Sequence, residues 1–372
     1  MNIIGYVKKF GDKTFKEMPF NEVDALILSE LSYINFDLIK PTHKFHPLSR
    51  LVVKDRKAFY TGSVDASYNE KIVNLMMKSK RFKNLRYGFC ESYRDEKQFT
   101  QFFALTILFP DKTGFISMRG TDTSLLGWRE DFTIMYQDDM PSQEMAARYV
   151  NDMSKRFDGN FYIGGHSKGG NLAIYAALNL NKSIEQRLIR VYSFDGPGFR
   201  NDITKEESFG RISERINKYL TSNDMIGVVY NRINNPLIVY SQGILLGGHD
   251  PFRWRVGKSG ESFFYVARRS KKSEEFEKGL MGWMTSLTDN DKKLAVNVLF
   301  RLLDDSQNIY DLLLRSFRLV RKAKDNLKEY TSEQIARTIE IYKALGKMLF
   351  NVYSPRQFLV KKEDASKEES KK

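Results

Sequence analysis

The chain of 372 residues carries 60 Lys and Arg against 46 Asp and Glu, a formal net charge of +14, with 41% hydrophobic residues and one cysteine. That length and apolar content suit one large α/β domain with additions or two ordinary domains. A lone Cys90 excludes an internal disulfide and a cysteine zinc cage, no stretch approaches the ~18 uninterrupted apolar residues of a membrane span, and the first residues lack the apolar core and cleavage site of a secretory signal, so a reducing cytoplasm is the expected home.

The positive charge permits three readings: nucleic acid, an anionic membrane surface, or a solvated basic face. Bases interleave with acids along the chain and no nucleic-acid motif appears, so nucleic acid is not expected. Peripheral contact with an anionic membrane stays open.

After a short polar opening, Asn21 stands before Glu22 and Asp24, and apolar residues at 23, 26, 27, 28, 31 and 34 share a face, which predicts a capped amphipathic helix. His43 and His46 follow between Pro41 and Pro47. With no third ligand nearby they read as surface loop histidines, not a metal pair. Residues 64–85 read as a second helix with Ile72, Val73, Leu75 and Met76 inward, and the basic cluster Lys78, Lys80, Arg81 and Lys83 suits a helix C-terminus.

Strands are predicted over 85–94, 98–109 and 113–119, with Pro110-Asp111-Lys112-Thr113-Gly114 as a hairpin turn. Arg119-Gly120-Thr121 closes the last of them, and Trp128 and Asp131 follow. A helix over 141–157 enters through Pro141. It leads to Phe161-Tyr162-Ile163-Gly164-Gly165-His166-Ser167-Lys168-Gly169-Gly170, a strand running through a sharp turn into helix formers.

That is the G-x-S-x-G pattern in the strand–turn–helix context its chemistry needs. Gly165 and Gly169 lack a Cβ, so strand and helix can pass closely and lift Ser167 clear of the sheet. Backbone N–H groups at the helix start then face any developing negative charge.

Further strands are expected at 188–194, ending in Asp195-Gly196-Pro197-Gly198, and at 215–220, ending before Asp224, with a β-rich segment over 227–240 ahead of Gly247-Gly248-His249-Asp250-Pro251. The predicted organisation is a mostly parallel α/β domain over 1–267, a helical appendage over 268–360 and a disordered charged tail over 361–372. In the appendage, Leu294 to Leu303, Ile309 to Val320 and Ile335 to Leu345 recur at helical spacing.

A serine nucleophile needs a base, an acid to orient it and donors for the oxyanion. His249 is the only histidine downstream of the elbow strands, which makes it the expected base; His166 is expected to pack beneath the elbow. Asp195 and Asp224 compete for the acid. Asp224, after the second strand, is the expected one, with Asp195 structural in its Gly-Pro-Gly turn. The N–H groups of Lys168 and Thr121 are the expected oxyanion donors, the Thr121 hydroxyl being available to add a bond, while Arg119 is expected to pair with an acid and fix its loop. No metal or cofactor is expected.

Arg119-Gly120-Thr121, Trp128, Asp131, the 165–170 elbow, Asp224 and His249 resemble the class 3 lipases of the α/β-hydrolase superfamily. Asn21 to Leu26, His166 to Asn171, Ser193 to Gly198 and His249 to Phe252 more closely resemble the family called domain of unknown function 2974, over residues 1 to about 265. The resemblance implies an α/β-hydrolase fold and a Ser-His-Asp hydrolase acting on a small acyl ester, lipid or phospholipid-like. Lys168 stands where those lipases have leucine; its charge argues against a purely apolar acyl pocket and for an anionic group on the substrate. Thioester or peptide cleavage, and a catalytically silent fold that binds a partner or membrane surface, remain the alternatives.

Overall fold

The computed structural model describes residues 1–38, 44–52, 59–60, 66–243, 246–303 and 327–353. His43, the periodic segment 309–320 and the 361–372 tail lie outside them. The chain opens with helix α1 (Ile3–Phe10), where a polar segment was expected. Asn2 caps it by accepting from Gly5 N, and Ile3, Tyr6, Val7 and Phe10 enter the core. An eight-residue helix is marginal by itself, so its packed face supplies the stability that its length does not. Helix α2 (Glu22–Glu30) carries the expected cap, with Asn21 and Asp24 forming a reciprocal capping box.

Strand β1 (His46–Pro47) carries His46, and helix α3 is Ala66–Lys78. The basic cluster after α3 divides: Arg81 does not serve the helix dipole but is 2% exposed and forks onto Asp24, with Nη1 donating to Met18 O at 2.8 Å. The remaining strands are β2 (Arg86–Asp95), β3 (Thr100–Leu108), β4 (Gly114–Met118), β5 (Phe161–His166), β6 (Leu188–Phe194), β7 (Ile216–Thr221) and β8 (Leu237–Val239). The sheet of eight strands runs in sequence order, antiparallel from β1 to β4 and parallel from β4 to β8. Within 227–240 only β8 pairs in the sheet; the rest is turn and loop.

Alternation along the strands separates two cores. Phe115 joins α1, α2 and α3 on one face, while Ile116 and Met118 join helices α5 (Pro141–Met153) and α6 (Lys168–Leu178) on the other. Helix α4 (Leu125–Thr133) follows β4 directly. Short helices α7 (Lys182–Glu185), α8 (Glu207–Ile212) and α9 (Leu246–His249) complete the sheet's surroundings.

The C-terminal helices α10 (Lys271–Thr285), α11 (Asp289–Leu303) and α12 (Ser332–Tyr353) pack together and onto the outer side of α4. Met284, Val296, Phe300 and Leu303 meet Trp128, Phe132, Ile134 and Met135 there. Ser273 Oγ also donates to Asp224 O at 2.6 Å. Among the described residues, no helix is long and apolar enough to cross a membrane.

Candidate active site

Ser167 joins β5 to α6 with φ 58° and ψ −134°, a region a side-chain-bearing residue enters only when its surroundings force it. The neighbours explain the force. A Cβ on Gly165 would collide with the Gly169 backbone and Met118 O, and one on Gly169 with Met118 O and the Gly120 amide. A Cβ on Gly120 would likewise collide with His166 O and crowd the Ser167 side chain, so the loop after β4 is pressed against the elbow.

That contact places the two expected oxyanion donors beside Ser167. Lys168 is the first residue of α6, so its N–H has no intrahelical acceptor. Thr121 lines the same cavity as Ser167, but its hydroxyl donates to Asp131 Oδ2 at 2.6 Å and so is committed away from an oxyanion. Burial raises Asp131 to about 6, opposed by Lys168 and by the Thr121 bond. Arg119 stacks on Phe103, 4.4 Å from the ring centroid.

The Lys168 side chain overturns the expectation drawn from its charge. It is 1% exposed and turns inward, Nζ donating to Glu130 Oε2 at 2.6 Å and to Gln101 O at 2.9 Å. It is not among the residues lining the cavity. Glu130 also accepts from Gln101 N at 2.9 Å, so strand β3, helix α4 and the elbow close into one polar ring. The cation is consumed by the scaffold.

On the other side of Ser167, His249 ends α9 and lines the same cavity. Its Nδ1–H donates to Asp195 Oδ2 at 2.6 Å, leaving Nε2 with a free lone pair as a base requires. Burial draws His249 down to about 4, against the pull of Asp224, Asp250 and Asp131, so the imidazole is neutral at pH 7. His166 packs beneath: Nε2–H donates to His249 O at 2.9 Å, and the two rings lie 4.5 Å apart. Burial and the His249 charge hold His166 well below its ordinary value.

The acid facing the imidazole is thus Asp195, where Asp224 was expected. Asp195 leaves β6 with φ 51°, which turns its carboxyl from the Gly-Pro-Gly loop toward His249. Asp224 lies one layer behind. Its Oδ1 accepts from Gly227 N at 2.8 Å, and it shares a hydrogen bond with Asp195. Chain order separates the two candidates by strand, but the reach of α9 back over the sheet selects the nearer one.

Two residues were missed from sequence. Glu130, the partner of Lys168, adjoins the noted Asp131. Lys218 is buried inside β7 and donates to Gly196 O. A lysine set among the apolar Ile216, Tyr219 and Leu220 inside a core strand, Ile216-Asn217-Lys218-Tyr219-Leu220, was the available signal. The cavity measures about 120 Å³ and is walled by Tyr33, Trp128, Ile226, Leu246 and Phe252, with Glu30, Asp122, Asp131 and Asp250 as its carboxyl lining; no Lys or Arg contributes among the described residues.

A mixed sheet whose parallel half presents a strained serine at a strand–helix turn, with an aspartate after the next strand and a histidine from a later helix paired beside it, defines an α/β-hydrolase fold. The chain belongs to the Mbeg1-like family, whose profile matches residues 76–301, and this family is of the domain of unknown function 2974 type read from the sequence. Among solved structures it is similar to M37 lipase, at 16% identity and a TM-score of 0.37, over 55% of this chain and 68% of that one. No curated protein matches.

Proposed function

We propose that the protein is a serine hydrolase that cleaves a small acyl ester through an acyl-enzyme. The observation that carries this reading is the 2.6 Å bond from His249 Nδ1 to Asp195, with His249 and the strained Ser167 lining one cavity. Ser167 Oγ attacks the ester carbonyl as His249 Nε2 takes its proton, and the N–H groups of Lys168 and Thr121 receive the oxyanion. The imidazolium, steadied by Asp195, then protonates the departing alkoxide. Water, activated by the same imidazole, releases the acid and restores Ser167.

The size and charge of the cavity favour a narrower substrate than a lipid. A cavity of roughly 150 Å³ accommodates benzene, and this one is about 120 Å³, so it suits an acyl group of a few carbons. Its acidic lining and the diversion of Lys168 to Glu130 favour a neutral substrate over an anionic one. A fluorophosphonate probe should label the wild type at Ser167 and leave Ser167→Ala unlabelled. A panel of esters from acetyl to dodecanoyl should show turnover falling with chain length. An intact, folded wild type that is neither labelled nor active on any ester would sink the reading.

A further inference from the structure

Asp195 and Asp224 are two acids in one dry site, each 0% exposed. The Thr221 N–H reaches both, lying 3.2 Å from Asp195 Oδ1 and 3.4 Å from Asp224 Oδ2. Both of those oxygens also lie 2.8 Å from the point where a Cβ on Gly227 would stand, so only a glycine there leaves room for the pair. The remaining oxygens have separate duties. Asp195 Oδ2 accepts from His249, and Asp224 Oδ1 accepts from Gly227 N at 2.8 Å.

The charges around the pair do not balance two carboxylates. Lys218, from β7, is the buried cation that faces both acids, and it donates to Gly196 O. Arg269 acts on Asp195 from further off but is engaged by Glu277. On the cavity side stands His249, and the further charges that act on it there, Asp131 and Asp250, are acidic. Two like charges in hydrogen-bond contact and shielded from bulk solvent cannot both persist when one cation serves them.

We infer that Asp195 and Asp224 hold a single proton between them, resident on Asp224 Oδ2 and donated to Asp195 Oδ1, which makes Asp224 a positioning residue that keeps Asp195 ionised and aimed at His249. The inference rests on the proposed role of His249 and Asp195. Burial and the Asp195 charge raise Asp224 well above the usual carboxylate range, whereas the bond from Asp224 and the Lys218 charge restrain the rise of Asp195. The arrangement gives Asp195 Oδ1 a side-chain donor while Oδ2 accepts from His249. It also explains why the carboxyl expected from chain order stands behind the one that touches the imidazole.

An amide mimics a protonated carboxyl, so Asp224→Asn can still accept from Gly227 and donate to Asp195. It should label with fluorophosphonate within about three-fold of the wild type, with an unmoved acid limb in its pH profile. Asp224→Ala removes the donor, and its acid limb should move upward as Asp195 grows more basic. Asp195→Asn should label about 10³–10⁴-fold more slowly. Proton NMR gives a readout independent of labelling: the far-downfield His249 Nδ1–H signal should survive in Asp224→Asn and vanish in Asp195→Asn. The reverse pattern, with the signal lost in Asp224→Asn and kept in Asp195→Asn, overturns the inference. So does equal slowing of labelling in the two Asn variants, with thermal melts verifying that both are folded. Absence of labelling in the wild type counts against the hydrolase reading alone, because the NMR comparison still decides where the proton lies.

Discussion

The two sides of Ser167 are equally dry and oppositely balanced. On the side of the proposed oxyanion donors, Lys168 meets Glu130 with side chains 1% and 2% exposed, one cation for one anion, and the ring is completed by the Gln101 backbone. On the acid side, Asp195 and Asp224 share one lysine, with His249 neutral between them and the cavity. A balanced pair is scaffold, since its charges satisfy each other and leave nothing for a substrate. An unbalanced cluster holds a proton that its surroundings govern, which is what a site for proton transfer requires.

Substitutions can break this contrast on either side. The largest effect expected is the 10³–10⁴-fold loss of labelling in Asp195→Asn, with the melting temperature changed far less than the rate. Next is Lys168→Met, which keeps the oxyanion N–H but strands the buried Glu130 charge. It should lose about 3–5 kcal/mol in urea unfolding, and adding Glu130→Gln should restore part of it. If Lys168→Met loses rate but no stability, the oxyanion side is not the passive scaffold described. Thr121→Val, which releases Asp131 from its hydroxyl partner while keeping the main-chain donor, should slow labelling by roughly ten-fold with little change in noncovalent inhibitor affinity.

The smallest effect is on pH dependence. Burial lowers the folded His249 value from 6.5 to about 4, so between these limits the unfolded chain binds more protons than the folded one. The stability linked to this group is therefore complete above pH 6.5 and lost as pH falls toward 4, and His166 acts in the same direction. The raised Asp131 and Asp224 carboxyls act in the opposite direction, so the readout is the difference: between pH 7 and pH 4.5 the wild type should lose melting temperature relative to His249→Gln.

The elbow was legible because its reasons are local. Gly165 and Gly169 must be glycines for a strand to turn into a helix at that distance, with Ser167 between them, and the Asn21 cap and the Pro110 hairpin are written just as locally. The strands were nearly as open, since the runs expected at 85–94, 98–109, 113–119, 188–194 and 215–220 each form one. The short α1 was hidden because its stability comes from distant partners such as Phe252, whose carbonyl accepts from Asn2.

What the sequence by itself determined is the strained serine, the histidine that can serve it and two candidate acids. The choice between those acids and the direction of Lys168 were decided only by tertiary structure. Both depend on which long-range partner a buried charge reaches, and desolvation makes that choice steep: Lys168 takes Glu130, 38 positions earlier, and His249 takes Asp195, 54 positions earlier. Chain order carries no record of those distances, which exist only once the sheet has brought the ends of β5, β6 and β7 side by side.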